Sequence, residues 1–184
     1  MSTKIDLACE VAAAAHGRHR RKGKKIPYIA HPMAVAILLS RAGVSEDVIV
    51  AAILHDTVED TSTTLKKIEK LFGLEVAGIV EGCSEPDKSL PWEERKEHSL
   101  EGLKTASDEV WLVTCADKLH NVRDMGVDYM KNGDVIWERF NSGKEEQVWY
   151  YQSLVETLAG NRDYNPELFD EFKAEVEKFL EIVK

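Results

Sequence analysis

The 184-residue chain is long enough for one domain with a sizeable core and leaves little room for a second. With 43% hydrophobic and 31% charged residues it has an ordinary globular composition, with no apolar run of membrane-spanning length and no signal sequence at its start. A net charge of −9 argues against a generic nucleic-acid binder, which favours a basic surface.

The charge is uneven. Residues 18–25, RHRRKGKK, carry six Lys/Arg in eight positions, whereas the tail after Asn165 is mainly acidic. The basic run is either a solvated loop or a local trap for an anion. Cys9, Cys83 and Cys115 form no CxxC pair, and their odd number predicts buried free thiols in a reducing compartment, hence a cytoplasmic protein.

Apolar spacing is helical nearly throughout, with no period-2 run of β-branched residues. A first helix is expected from Lys4 to about His16 on the strength of ACEVAAAA. The basic loop follows, then an extended PYIAHP stretch ahead of a second helix that starts near Pro32 and ends at Gly43. Ser45 is the expected N-cap of a third helix running to about Glu59. Further helices are expected at 63–72, 74–83, 92–106, 108–126, 134–140, 144–159 and 166–182, with a loop at SEPDKSLP (84–91) and turns at MKNGD and NRDYNP.

ILHDTVEDT, residues 53–61, sets His55, Asp56, Glu59 and Asp60 at the end of a strongly apolar run. Buried charges are costly unless paired or bound to a metal. On a helix, Glu59 lies one turn beyond His55 and Asp60 one turn beyond Asp56. In VTCADKLHNVRDM, Asp117 precedes Asn121 by one turn, and His31 sits where an extended segment meets a helix. Two histidines and two aspartates from three elements suit a nitrogen/oxygen metal site. Spacing alone leaves that reading level with hydrogen-bonded core residues.

HP at 31–32, LHDTVEDT at 54–61 and ADKLHNVRD at 116–124 resemble the successive motifs of the HD-domain superfamily. RKGKKIPYIAHP and PWEERKEHSLEGL (91–103) are similar to its guanosine-3′,5′-bis(diphosphate) 3′-pyrophosphohydrolase branch, the hydrolase domain of RelA/SpoT enzymes and the small alarmone hydrolases. The resemblance, over roughly residues 8–160, implies an all-α HD-domain bundle of about eight to ten helices spanning 1–184. Its catalytic motifs would fall within 16–125, with the helices of 144–184 capping the bundle.

It further implies His31, His55, Asp56 and Asp117 as ligands of one ion per chain, typically Mn²⁺. Glu59 and Asp60 correspond to the catalytic acidic pair, with Asn121 beside the last ligand. Arg21, Lys22, Lys96 and Arg123 are the implied substrate contacts. The implied activity is hydrolysis of (p)ppGpp to GDP or GTP plus pyrophosphate, with no synthetase domain in so short a chain and no nucleic-acid or membrane partner. Two rivals stand beside it: an HD phosphatase for another nucleotide, such as a 2′-phosphorylated dinucleotide or a deoxynucleoside monophosphate, and a metal-stabilised nucleotide sensor without turnover. His16, His19, His98 and His120 read as structural or solvent-facing, and the aromatics of 148–161 as core. Oligomeric state is not legible.

Overall fold

Thr3 starts the first helix, α1 (Lys4–His16), through a capping box: its hydroxyl accepts the Asp6 N–H at 3.1 Å while the Asp6 carboxylate accepts the Thr3 N–H at 2.9 Å. A computed structural model of the chain describes residues 3–85, 89–140 and 142–184. Next come α2 (Ala30–Arg41), α3 (Glu46–Leu54), the single turn α4 (Thr57–Asp60), α5 (Leu65–Phe72), α6 (Leu74–Cys83) and α7 (Trp92–Leu103). The long α8 (Asp108–Asn132) leads through a 3-10 segment (Gly133–Arg139) to α9 (Lys144–Ala159) and α10 (Pro166–Ile182), with a short 3-10 turn (Arg162–Tyr164) between them. Among the described residues there is no strand ladder, only an isolated bridge between Arg20 and Pro27 that closes the basic loop.

Several expectations need correcting. PYIAHP is a turn rather than an extended segment: the Ala30 and His31 N–H groups donate to the Pro27 and Tyr28 carbonyls, and α2 begins two residues before Pro32. α8 runs six residues past its expected end at 126, because Gly126 is tolerated inside it and the chain turns only at Gly133, whose φ of +61° suits glycine. The helix expected from Ser45 to Glu59 is broken at His55–Asp56, although Ser45 caps its start by accepting the Val48 N–H. Of the SEPDKSLP loop, residues 86–88 lie outside the described residues.

α3 and α8 form the centre. Every residue of α3 from Val48 to Leu54 except Ile49 is buried, so this helix is enclosed nearly all round. It packs against α1, α2, α6 and α8, while α10 covers the opposite side of α8. Trp111 of α8 is fully buried and donates its Nε1–H to the Leu158 carbonyl of α9 at 3.0 Å. Cys115 is buried, whereas Cys9 and Cys83 are only half-buried, and all three are free thiols. No helix among the described residues is long and apolar enough to cross a membrane.

α6 approaches α8 closely at Gly82. A Cβ there would lie 2.6 Å from Val110 Cγ2. Gly82→Ala should therefore cost about 1–3 kcal/mol from overpacking, more than the ~1 kcal/mol that alanine gains over glycine in a helix. Denaturant unfolding checks this. Adding Val110→Ala should give a total cost smaller than the sum of the two single changes, since the clash has gone.

Candidate active site

The break between α3 and α4 builds the site. His55 Nδ1 bonds the Ala52 carbonyl at 2.7 Å, and the Thr57 hydroxyl donates to the Leu54 carbonyl at 2.7 Å. In an unbroken helix those carbonyls would receive the N–H groups of Asp56 and Val58. The local side chains thus compete with the helical ladder. The chain resumes as α4, where the Asp60 N–H meets the Asp56 carbonyl at 2.9 Å. His55 consequently sits at the end of a buried helix with its Nδ1 engaged and its Nε2 facing inward.

His31 from α2, His55 from the break and Asp117 from α8 converge, their potential ligand atoms all lying within 4.8 Å of one another. His31 Nε2 is 3.0 Å from Asp117 Oδ1 and 3.5 Å from Asp56 Oδ2, while His55 Nε2 is 3.1 Å from Asp56 Oδ2 and 3.8 Å from Asp117 Oδ1. His31, His55 and Asp117 are buried. Buried His55 Nε2 makes no hydrogen bond among the described residues. Burial disfavours the charged imidazole of His55, yet the facing Asp56 and Asp117 carboxylates raise its pKa well above the ordinary value. An enclosure that draws in positive charge so strongly, with an imidazole nitrogen facing two carboxylates without a well-formed hydrogen bond and only nitrogen and oxygen donors, fits a divalent cation.

One side of α8 organises this cluster. Asp117 Oδ1 accepts from Asn121 Nδ2 at 2.6 Å, and Asp117 Oδ2 from Lys118 at 2.7 Å. Burial opposes the Asp117 carboxylate, but Lys118 and the His31 contact hold its pKa well below the usual range. Asp56 is similarly held low, its burial outweighed by His55 and His31, and it accepts the Tyr28 hydroxyl at 2.7 Å. Asn121 in turn accepts from Arg21 at 2.9 Å, and Arg21 also bonds Asp124 at 3.0 Å. Lys24 pairs with Asp124 and Asp128, so the basic loop is fastened along α8 rather than free in solvent. Gly23, at φ +68°, lets that loop turn close over Arg139.

The cluster opens into a cleft of about 990 Å³. Glu59 and Asp60 line it, as do Arg21, Lys22, Lys96 and Asn121. Glu59 accepts the Glu85 N–H at 3.3 Å. Lys22 stands over the Phe140 ring at 5.4 Å, and burial with neighbouring Lys96 lowers its pKa. Lys96 lies 5.1 Å from the Tyr150 ring and pairs, with Arg95, to Glu85.

Arg123 does not join them. Two residues beyond Asn121 it is turned ~200° around the helix, and it pairs with Glu171 and Glu175 of α10. The expected nucleotide contact from Arg123 is therefore replaced by a structural one. Sequence reasoning also passed over Tyr28, Lys118, Glu85 and Arg95, and it set aside His120, whose Nδ1 lies 2.8 Å from His31 Nδ1. Tyr150 and Tyr151 are buried as expected but also wall the cleft.

This helical scaffold with its His-Asp turn defines an HD-domain protein, and the sequence matches the HD-domain family over residues 8–141. The chain belongs to that family. It is 48% identical over 121 residues to the Xenopus tropicalis guanosine-3′,5′-bis(diphosphate) 3′-pyrophosphohydrolase MESH1, covering 64% of this chain and 67% of the relative. The Drosophila melanogaster MESH1 is 39% identical over 162 residues, covering 86% of this chain and 87% of its own. A solved structure described as a metazoan ortholog of SpoT that hydrolyses ppGpp superposes with a TM-score of 0.81 at 31% identity, covering 97% of this chain and 96% of that one.

Proposed function

We propose that this chain is a metal-dependent (p)ppGpp 3′-pyrophosphohydrolase of the cytoplasm, with residues 1–184 acting as one hydrolase unit. The carrying observation is the convergence of His31, His55 and Asp117 at a cleft whose wall holds Lys22 and Lys96. The names of the relatives support the substrate, and three unpaired thiols support the compartment. Among the rivals, a sensor without turnover has no use for Glu59 and Asp60 beside the ligands.

His31, His55, Asp56 and Asp117 would hold one divalent ion, Mn²⁺ on this reading. When bound, such an ion neutralises charge developing at phosphorus and makes water more acidic. Glu59 or Asp60 takes the proton from the attacking water as general base. Water adds to the phosphorus bonded to the ribose 3′ oxygen, that P–O bond breaks, and the proton taken by the base passes to the departing 3′ oxygen, so that pyrophosphate is released with the 3′ hydroxyl restored. Asn121 keeps Asp117 turned toward the cleft, and Arg21 braces Asn121. Lys22 and Lys96 bind the substrate's phosphate oxygens as local positive charge in an acidic protein.

The purified chain, incubated with Mn²⁺ and a panel of phosphorylated nucleotides, should convert ppGpp to GDP and intact pyrophosphate. Orthophosphate alone, or faster turnover of every other nucleotide, would favour the phosphatase rival. Lys22→Ala should raise KM well above the parent value while leaving kcat nearly unchanged, as removal of uniform binding does. Initial-rate kinetics across substrate concentrations separate the two parameters.

A further inference from the structure

We propose that His120 is a positioning residue for the metal centre, fixing the tautomer and orientation of His31; this rests on the metal-dependent reading above. The two Nδ1 atoms are 2.8 Å apart, and their ring centroids are 4.9 Å apart. Two imidazole nitrogens at that distance form a hydrogen bond only if one carries hydrogen and the other is bare. His31 Nε2 is the atom that faces Asp117 and Asp56. To offer an ion its lone pair there, His31 must carry its hydrogen on Nδ1. His120 Nδ1 is then the acceptor, and His120 is protonated on Nε2.

The placement favours this role over a substrate contact. His31 lines the cleft, whereas His120 is not among its lining residues. His120 lies three residues beyond Asp117 on α8, on the same face of the helix. A single helical stripe thereby supplies one ligand, Asp117, and braces two: Asn121 holds Asp117 itself, and His120 holds His31 from α2. A histidine ligand depends on such a partner at its second nitrogen, and losing it typically weakens metal affinity ~10–100-fold.

Calorimetric titration of Mn²⁺ into chelator-treated protein tests the assignment without substrate. His120→Phe fills the space but cannot accept a hydrogen bond, and it should bind Mn²⁺ about 10–100-fold more weakly than the parent. His120→Asn puts Oδ1 near the place of Nδ1 and should recover most of the affinity. Equal affinity in His120→Phe and parent, or equal loss in both variants, overturns the proposal.

If His120→Phe does not fold, ¹⁵N spectra of the parent loaded with diamagnetic Zn²⁺ decide. Hydrogen on His31 Nδ1 and on His120 Nε2 supports the assignment, and the reverse pattern overturns it. A parent that takes up no ion overturns the metal centre itself, and this role with it. An ion bound without ppGpp turnover leaves this role standing and removes only the substrate reading.

Discussion

Asp117→Asn is expected to abolish tight Mn²⁺ binding and also to melt about 6–12 °C below the parent when both are metal-free. The first effect follows from loss of a ligand. The second follows from Lys118, whose ammonium lies 2.7 Å from Asp117 Oδ2 and whose pKa is raised as its burial is outweighed by that carboxylate. Two forces oppose each other in the metal-free site. Asp56 repels Asp117, while Lys118 and His31 attract it, and the lowered pKa of Asp117 says attraction wins. Neutralising the carboxylate therefore destabilises.

Breaking a buried pair costs about 3–5 kcal/mol, and Lys118 opens onto the cleft, so the lower end applies. About 3 kcal/mol shifts the midpoint by roughly 6–12 °C in a chain this size. Lys118→Met added to Asp117→Asn should restore much of the melting temperature and none of the ion. Because the folded pKa is depressed, the carboxylate's contribution is fully present above the unfolded value of ~3.9 and is lost as pH falls through the folded pKa. The gap between parent and variant should shrink over that acid range. Mn²⁺ at about 1,000 times its Kd should raise parent stability by about 4 kcal/mol, and the variant should gain little. Metal-free melting temperatures that agree at neutral pH would show that Lys118 does not depend on Asp117.

Three of the proposed ligands carry a signal in the sequence, though spacing alone does not separate it from that of hydrogen-bonded core residues. His55 and Asp56 interrupt a run apolar enough to be enclosed on all sides, and Asp117 repeats at helical spacing with Asn121. His31 is marked only by the motif likeness, and the fold brings it to His55 and Asp117. The break after Leu54 is not legible, since it arises from the His55 and Thr57 side chains competing for carbonyls of an otherwise regular helix. His120 gives no signal of its own because its partner is 89 residues away on another helix. Lys118 gives no signal either, because its neighbours Tyr150 and Tyr151 come from α9, about thirty residues along the chain. Arg123 shows the opposite failure. Helical periodicity alone turns it away from Asn121, and motif likeness outweighed that geometry.

Glu59→Gln and Asp60→Ala are expected to keep the ion and the fold while kcat collapses in at least one of them. Both carboxylates lie on α4, past the break that presents His55, and both line the cleft beside the ligand cluster. Glutamine is the informative change at 59. It preserves an acceptor for the Glu85 N–H, which meets Glu59 Oε2 at 3.3 Å, while removing the negative charge and with it the capacity to take a proton. Asp60 is the more exposed of the two. Loss of a general base typically slows the chemical step ~10²–10⁴-fold, equivalent to about 3–5 kcal/mol of barrier. Since the base acts only as the water is deprotonated, kcat and kcat/KM should fall together. Steady-state rates beside Mn²⁺ stoichiometry on the same samples make the comparison. If both variants turn over at the parent rate with the ion bound, the base lies elsewhere in the cleft. If either loses the ion, that carboxylate is itself a ligand, and the four-residue shell of His31, His55, Asp56 and Asp117 must be redrawn around it.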